Sequence, residues 1–392
     1  MLANPLRERL ASLGGQRAAP RPPRPERRLP HGFEPVGTPW GTAWRLQEVR
    51  SIGRVPGTPP AVPYAYLDTE TTGLAGGSGT YAFTVALARP LADRSGLEVV
   101  QLFLPEPSAE AAFLHQLQAE LSGSPAIGTY NGSRFDLPLL RTRWVMARLP
   151  GDFDHPDHLD LLTLTRSLLR QRLQSCALRN VEIRLLGFER EEDLPSAMVP
   201  DAYFTYLRRG WSPDLEGALE HNRQDVVSLY YLHSRLLLRL GGHDPQMEAA
   251  DWLALGRHLI RQGRRAEGWR SLRNAAMMMQ APASALAGLL LARRLTRAGR
   301  PESAARLLAG LLERMPQDPL LAVALARILE WKLRDVAAAL GVVDRALGEW
   351  PAAQHRLDLE RRRARLALRL DSGRRQRVRG RQREMTFEHQ PA

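Results

Sequence analysis

The sequence predicts an α/β domain, a mixed sheet flanked by helices, followed by an all-α domain of helical repeats. Three observations carry this. Up to about residue 240, short apolar runs rich in β-branched and aromatic residues alternate with helical patterns. Past Gly241-Gly242-His243-Asp244-Pro245 the chain becomes uniformly helical and rich in Ala, Leu and Arg. There a turn recurs about every 34 residues, the interval of tetratricopeptide-like helix pairs. It is seen at Gln262-Gly263-Arg264-Arg265, Ala298-Gly299-Arg300-Pro301 and Leu333-Arg334-Asp335-Val336.

Taken in order, residues 1–33 form a Pro- and Arg-rich arm with little folding potential, expected to be disordered. One strand is expected at Thr42 to Val49. Strands then follow at 61–68, 80–89, 97–104 and 126–130, and helices near 108–121 and 134–147. Further helices are expected at 160–171, 178–186, 197–208 and 214–240. The resulting domains are 34–241, with its core at 60–235, and helical repeats at 246–371. A basic tail, 372–392, is expected to be disordered.

The residues between Gly73 and Gly79 lack a Walker lysine and run into a strand, Tyr81 to Leu87, so they read as a hairpin connection. The single cysteine, Cys176, excludes an internal disulfide and reads as a small buried residue. No apolar run reaches the length of a membrane span and the N-terminus has no secretory core, so the expected setting is cytoplasmic. The formal net charge is +13, carried by arginine with Lys332 as the one lysine. Such a balance favours polyanions, and the planar fork of arginine suits phosphate.

The chemistry-bearing residues begin at Tyr66-Leu67-Asp68-Thr69-Glu70-Thr71-Thr72-Gly73-Leu74. On a strand, Asp68 and Glu70 emerge on one face, where their mutual repulsion is relieved by water or by a divalent cation. In Tyr130-Asn131-Gly132-Ser133-Arg134-Phe135-Asp136, the Asn-Gly turn places Asp136 in a first helical turn. The helix dipole alone would also favour a carboxylate there. His221 and Asp225 lie one turn apart on a single helical face. Asp160 is a reserve candidate that equally suits a helix N-cap.

These segments resemble the DnaQ-like, or DEDD, superfamily of 3′→5′ exonucleases, whose fold is ribonuclease H-like. Asp68 and Glu70 match its first motif, Asn131 and Asp136 its second, and Asp225 its third, with His221 in the place of the general base. A nearer resemblance, over roughly residues 60 to 235, is to the YprB-like ribonuclease H-like family. It is carried by Leu67 to Leu74, Gly76 to Phe83, His158-Leu159-Asp160-Leu161, Cys176-Ala177-Leu178, Val181-Glu182, Leu186-Gly187-Phe188 and the His221–Asp225 helix. One departure stands out. The superfamily places a histidine five residues before the last acid, or a tyrosine four before it; here a histidine has the tyrosine spacing. One residue turns a helical side chain by about 100°.

The resemblance implies a metal-dependent 3′→5′ exonuclease acting on RNA or DNA at a single-stranded 3′ end. It implies two ions, Mg²⁺ or Mn²⁺, held by Asp68, Glu70, Asp136 and Asp225, with Asp68 between them. Thr72, Leu74 and Asn131 are implied to contact the nucleotide. The helical repeats are expected to recruit substrate or a protein partner. Two other readings stand beside this one: a structure-specific endonuclease, and a weak or inactive nucleic-acid-binding scaffold. The His221 spacing favours the scaffold.

Overall fold

The computed structural model describes residues 26–53, 60, 64–73, 79–153, 155, 157–188, 190, 194–349 and 356–372. Leu74 and most of the glycine-rich connection, the arm before Glu26 and the tail after Ser372 lie outside these residues.

The first part is a mixed sheet of seven strands in the order β1-β2-β5-β4-β3-β6-β7. The strands are β1 (Glu34–Thr38), β2 (Gly41–Ser51), β3 (Tyr64–Thr71), β4 (Ala82–Pro90), β5 (Gly96–Phe103), β6 (Ala126–Thr129) and β7 (Asp157–Asp160). The pairs from β1 to β3 are antiparallel, whereas β3–β6 and β6–β7 are parallel. The expected strand at 42–49 is one arm of a hairpin, with β1 as its unforeseen partner. β7 is likewise unforeseen. It has four residues, too few for alternation to be visible in the sequence.

Period-two alternation divides the core between two faces. On one, Leu67, Val85, Leu87, Val100 and Leu102 pack against α1 (Glu110–Ser122), α2 (Asp136–Met146) and α5 (Val199–Arg209). On the other, Tyr66, Ala86, Ala88 and Val99 meet α3 (Leu161–Leu169) and α6 (Leu215–Leu240). Between α3 and α5, the short α4 (Leu178–Val181) continues into a π-type turn, Glu182–Leu186. Cys176 is part-exposed rather than buried. Residues 26–33, expected within the disordered arm, instead lie on this domain. Arg27 pairs with Glu106, the Arg28 amide donates to the Gly210 carbonyl, and Phe33 enters the core.

The second part is helical: α7 (Ala249–Arg261), α8 (Arg265–Met277), α9 (Ala283–Arg297), α10 (Pro301–Arg314), α11 (Pro319–Trp331), α12 (Val336–Glu349) and a final helix α13 over 356–372. Each helix from α7 to α11 packs on its successor, and α9 also touches α7 and α11. Small residues make this approach possible; a Cβ on Gly288 would lie 2.3 Å from Leu311 Cδ1. The two parts share a core. Leu255 and Leu259 of α7 join the cluster built by α3 and α6. A buried ion network beside it links Arg235 and Arg239 of α6 to Asp244, and Arg239 to Asp251 of α7. At the far end Glu330, fully buried, gathers Arg362, Arg365 and Arg369 of α13. No helix among the described residues is long and apolar enough to cross a membrane.

Candidate metal centre

Asp68 and Glu70 stand near the C-terminal end of β3, on the sheet face that α6 covers. Asp68 lies opposite Ala86 and Glu70 opposite Thr84, just before an irregularity in the β3–β4 register. α6 carries Asn222 and Asp225 to the same place. Asn222 is fully buried, and its amide nitrogen donates both to Asp68 Oδ2 at 2.9 Å and to the Asp68 carbonyl at 3.1 Å. Its oxygen accepts from Gln101 at 2.9 Å, and Gln101 in turn accepts from Arg223 at 2.6 Å. A continuous hydrogen-bonded line between the sheet and α6 therefore orients the Asp68 carboxylate.

Asp136 is the first residue of α2, as expected. It is buried and accepts a 2.6 Å hydrogen bond from Thr69 Oγ1. The loop before it is held in a tight form. Asn131 adopts φ +70°, and a Cβ on Gly132 would lie 2.3 Å from Thr129 Oγ1, so only glycine fits there. Asp160 shapes this loop. Its carboxylate accepts from the Asn131 amide at 2.9 Å, from the Ser133 amide and hydroxyl, and from the Leu162 amide at 3.0 Å, which caps α3. Burial works against that charge, but these donors outweigh it and hold Asp160 below the usual carboxylate range. Thr72 ties the hairpin base, its hydroxyl accepting from the Tyr81 amide at 2.9 Å.

The acids act on one another. Burial, and then the charges of Asp225, Asp136 and Glu70, push Asp68 well above the usual carboxylate range, against the donor from Asn222. Burial raises Asp136 to about 6 although Thr69 opposes it. Burial also raises Asp225, with His221 and Arg190 pulling it down. The side chains of Glu70, His221 and Asp225 each offer a ligand atom, and these atoms lie within 4.8 Å of one another. His221 Nε2 is 3.8 Å from Glu70 Oε1 and 3.6 Å from Asp225 Oδ2. The unusual spacing of His221 therefore still directs its ring into the centre. Asp68 and Asp136 stand beside this group without being part of it.

Two partners were not among the site residues expected from the sequence. Arg190 donates to Asp225 and to Glu182, and its other terminal nitrogen lies 3.1 Å from His221 Nδ1. Glu182, on the π-type turn, is buried. The guanidinium thus supplies positive charge beside the ligand group. Because arginine only donates, Nδ1 accepts in this arrangement, and the proton of a neutral ring then sits on Nε2. Spacing could not reveal Arg190, which meets Asp225 across 35 residues through a loop.

The donor set suits a hard divalent cation. Crowded carboxylates with raised proton affinity, an imidazole within reach and a resident arginine all mark a place where negative charge seeks a cation.

Residues 65–237 match the family model described as RNase_H superfamily, so this part of the chain is a ribonuclease H-like domain. The chain is also similar to the uncharacterized protein YprB of Bacillus subtilis (strain 168), with 36% identity over 185 residues. The alignment covers 46% of this chain and 44% of that protein, so the likeness spans less than half of either.

Proposed function

We propose that the ribonuclease H-like domain is a metal-dependent 3′→5′ exonuclease of the DEDD type, hydrolysing RNA or DNA from a single-stranded 3′ end. The observation that carries this is the convergence of Asp68, Glu70, Asp136 and Asp225 from β3, α2 and α6, close enough that their charges raise Asp68. A set of acids kept together in spite of repulsion suits cation-assisted phosphoryl transfer better than a purely structural role. Two divalent ions, Mg²⁺ or Mn²⁺, would neutralise charge developing on the phosphate, activate water and stabilise the leaving oxygen.

Glu70 and Asp225 are proposed to hold one ion, with Asp68 shared and Asp136 serving the other. Asn222 keeps the Asp68 carboxylate oriented. His221 serves as base only with Nε2 free to accept a proton, which requires Arg190 to leave Nδ1. Thr72, Leu74 and Asn131 are assigned to the terminal nucleotide, and the helix pairs α7 to α12 to a tetratricopeptide-like array that recruits substrate or partner.

The test uses strands of RNA and DNA labelled at the 5′ end, single and double, with each metal. Stepwise shortening from the 3′ end with release of mononucleotides is expected. It should be lost in Asp68→Asn and stalled by a blocked 3′ end. Internal cuts in the blocked strand would mean an endonuclease. Intact substrate with both metals would refute catalysis and leave the second reading, a nucleic-acid-binding protein. The contact of Arg190 with Asp225 favours that reading.

A further inference from the structure

We propose that the groove between α9 and α11 is a binding site for a single strand of nucleic acid, separate from the acidic centre. The groove has a volume of about 600 Å³. Its cations are Arg293 and Arg297, one turn apart on α9, with Arg327 on α11 and Lys332 just past its end, and no acid lines it. Among the described residues none of the four makes an ion pair. Two other grooves of the helical part differ: Glu313 faces the one between α10 and α12, and Glu267 the one between α7 and α8.

Surrounding charge reinforces the sign. Glu330 is shared by three arginines of α13, an excess of positive charge. Burial, then the charge of Arg365 and, more weakly, of Arg327, depresses Arg362 below the usual arginine range. Positive charge is thus crowded here even after local pairing.

The floor selects among anions. Leu289, Ala292, Val323, Ala324 and Ile328 form an apolar bed between the cations. Trp331, at one end, remains 59% exposed although Arg365 and Arg369 lie against its ring. A duplex presents phosphates outward and hides its bases, so it has no use for an apolar bed. A single strand offers both surfaces, phosphates for the guanidinium forks and flat bases for the bed and the indole. Arg293 and Arg297, about 6 Å apart along the helix axis, are placed to follow a backbone. An acidic peptide would satisfy the charges but not the aromatic end.

The choice of polymer rests on the nuclease reading, but the test does not depend on hydrolysis. Full-length protein carrying Asp68→Asn is titrated, without divalent metal, into fluorescein-labelled dodecamers of deoxythymidylate and uridylate, and anisotropy is read over a range of salt. Replacing Arg293, Arg297 and Arg327 together by Gln is expected to weaken binding at least tenfold. The slope of log K against log salt should fall by about 2, at roughly 0.7 for each phosphate that is no longer neutralised. Trp331→Ala should weaken binding roughly tenfold with the slope unchanged. Circular dichroism checks that both variants remain folded. Unchanged affinity and slope in the triple variant would overturn the inference. So would tighter binding of polyglutamate that disappears in the same variant, which would assign the groove to an acidic protein. Strand binding through the groove, combined with intact substrate when the unsubstituted protein is assayed with either metal, would instead count against the exonuclease reading alone.

Discussion

Asn222→Asp tests the geometry of the acidic centre most directly. The change keeps size and the acceptor for Gln101, removes the donor to Asp68, and adds a carboxylate where a nitrogen now lies 2.9 Å from Asp68 Oδ2. Two unit charges at that distance repel by about 6 kcal/mol at an effective dielectric of 20. Protonating one carboxyl at pH 7.5 instead, from an ordinary value near 4, costs about 5 kcal/mol. Asp68 already holds a proton more readily than an ordinary carboxyl, so this is a ceiling, and the loss of stability should stay below about 5 kcal/mol in the absence of metal. At roughly 2–4 °C per kcal/mol, the melting temperature of the ribonuclease H-like domain should fall by up to about 10–20 °C.

The control, Asn222→Leu, loses hydrogen bonds to a carboxylate and should cost about 1.5–3 kcal/mol. The sign with pH separates the two. A carboxyl whose folded pKa is raised destabilises above that pKa, and the penalty fades as pH falls towards the unfolded value near 4. Asn222→Asp should therefore recover towards wild type on acidification, whereas Asn222→Leu should not. Mn²⁺ should likewise rescue the aspartate variant more than the leucine variant. Thermal melts from pH 5 to 8, with and without Mn²⁺, read all three. If Asn222→Asp melts with wild type at pH 7.5 and shows no added pH dependence, Asn222 does not face Asp68 and the site has been assembled wrongly.

Arg190→Met leaves Glu182 buried without its cation, which should cost about 3–5 kcal/mol without metal. It also removes the guanidinium that now occupies Asp225, so the melting temperature should rise more with Mn²⁺ than in wild type; an equal rise would refute competition between arginine and ion. His233 lies buried in the second core, with Tyr66 Oη 3.0 Å from its Nδ1, and burial lowers it to about 4. The unfolded chain takes up this proton first, near 6.5, so its contribution of about 3 kcal/mol is complete above that pH and is lost as pH falls towards 4. His233→Gln should flatten the dependence of stability on pH in that window, and an unchanged profile would exclude His233 as its source.

Whatever depends on neighbours along the chain was legible in the order of residues. Strand alternation put Asp68 and Glu70 on one face, the Asn-Gly turn put Asp136 at a helix start, and helical spacing aligned His221 with Asp225. It also marked the change to an all-helical run near residue 241. Tertiary structure alone decided which of these faces meet. Asn222 reaches Asp68 across 154 residues, and Arg190 reaches Asp225 from a loop with no periodicity to read. Asp160, open in the sequence between ligand and helix cap, is a cap that also clamps the Asn131 loop. The groove likewise appears only when α9 lies beside α11, because charge on separate helices becomes a field only at close range. Local patterns fix the direction of a side chain, but its partner is set by packing.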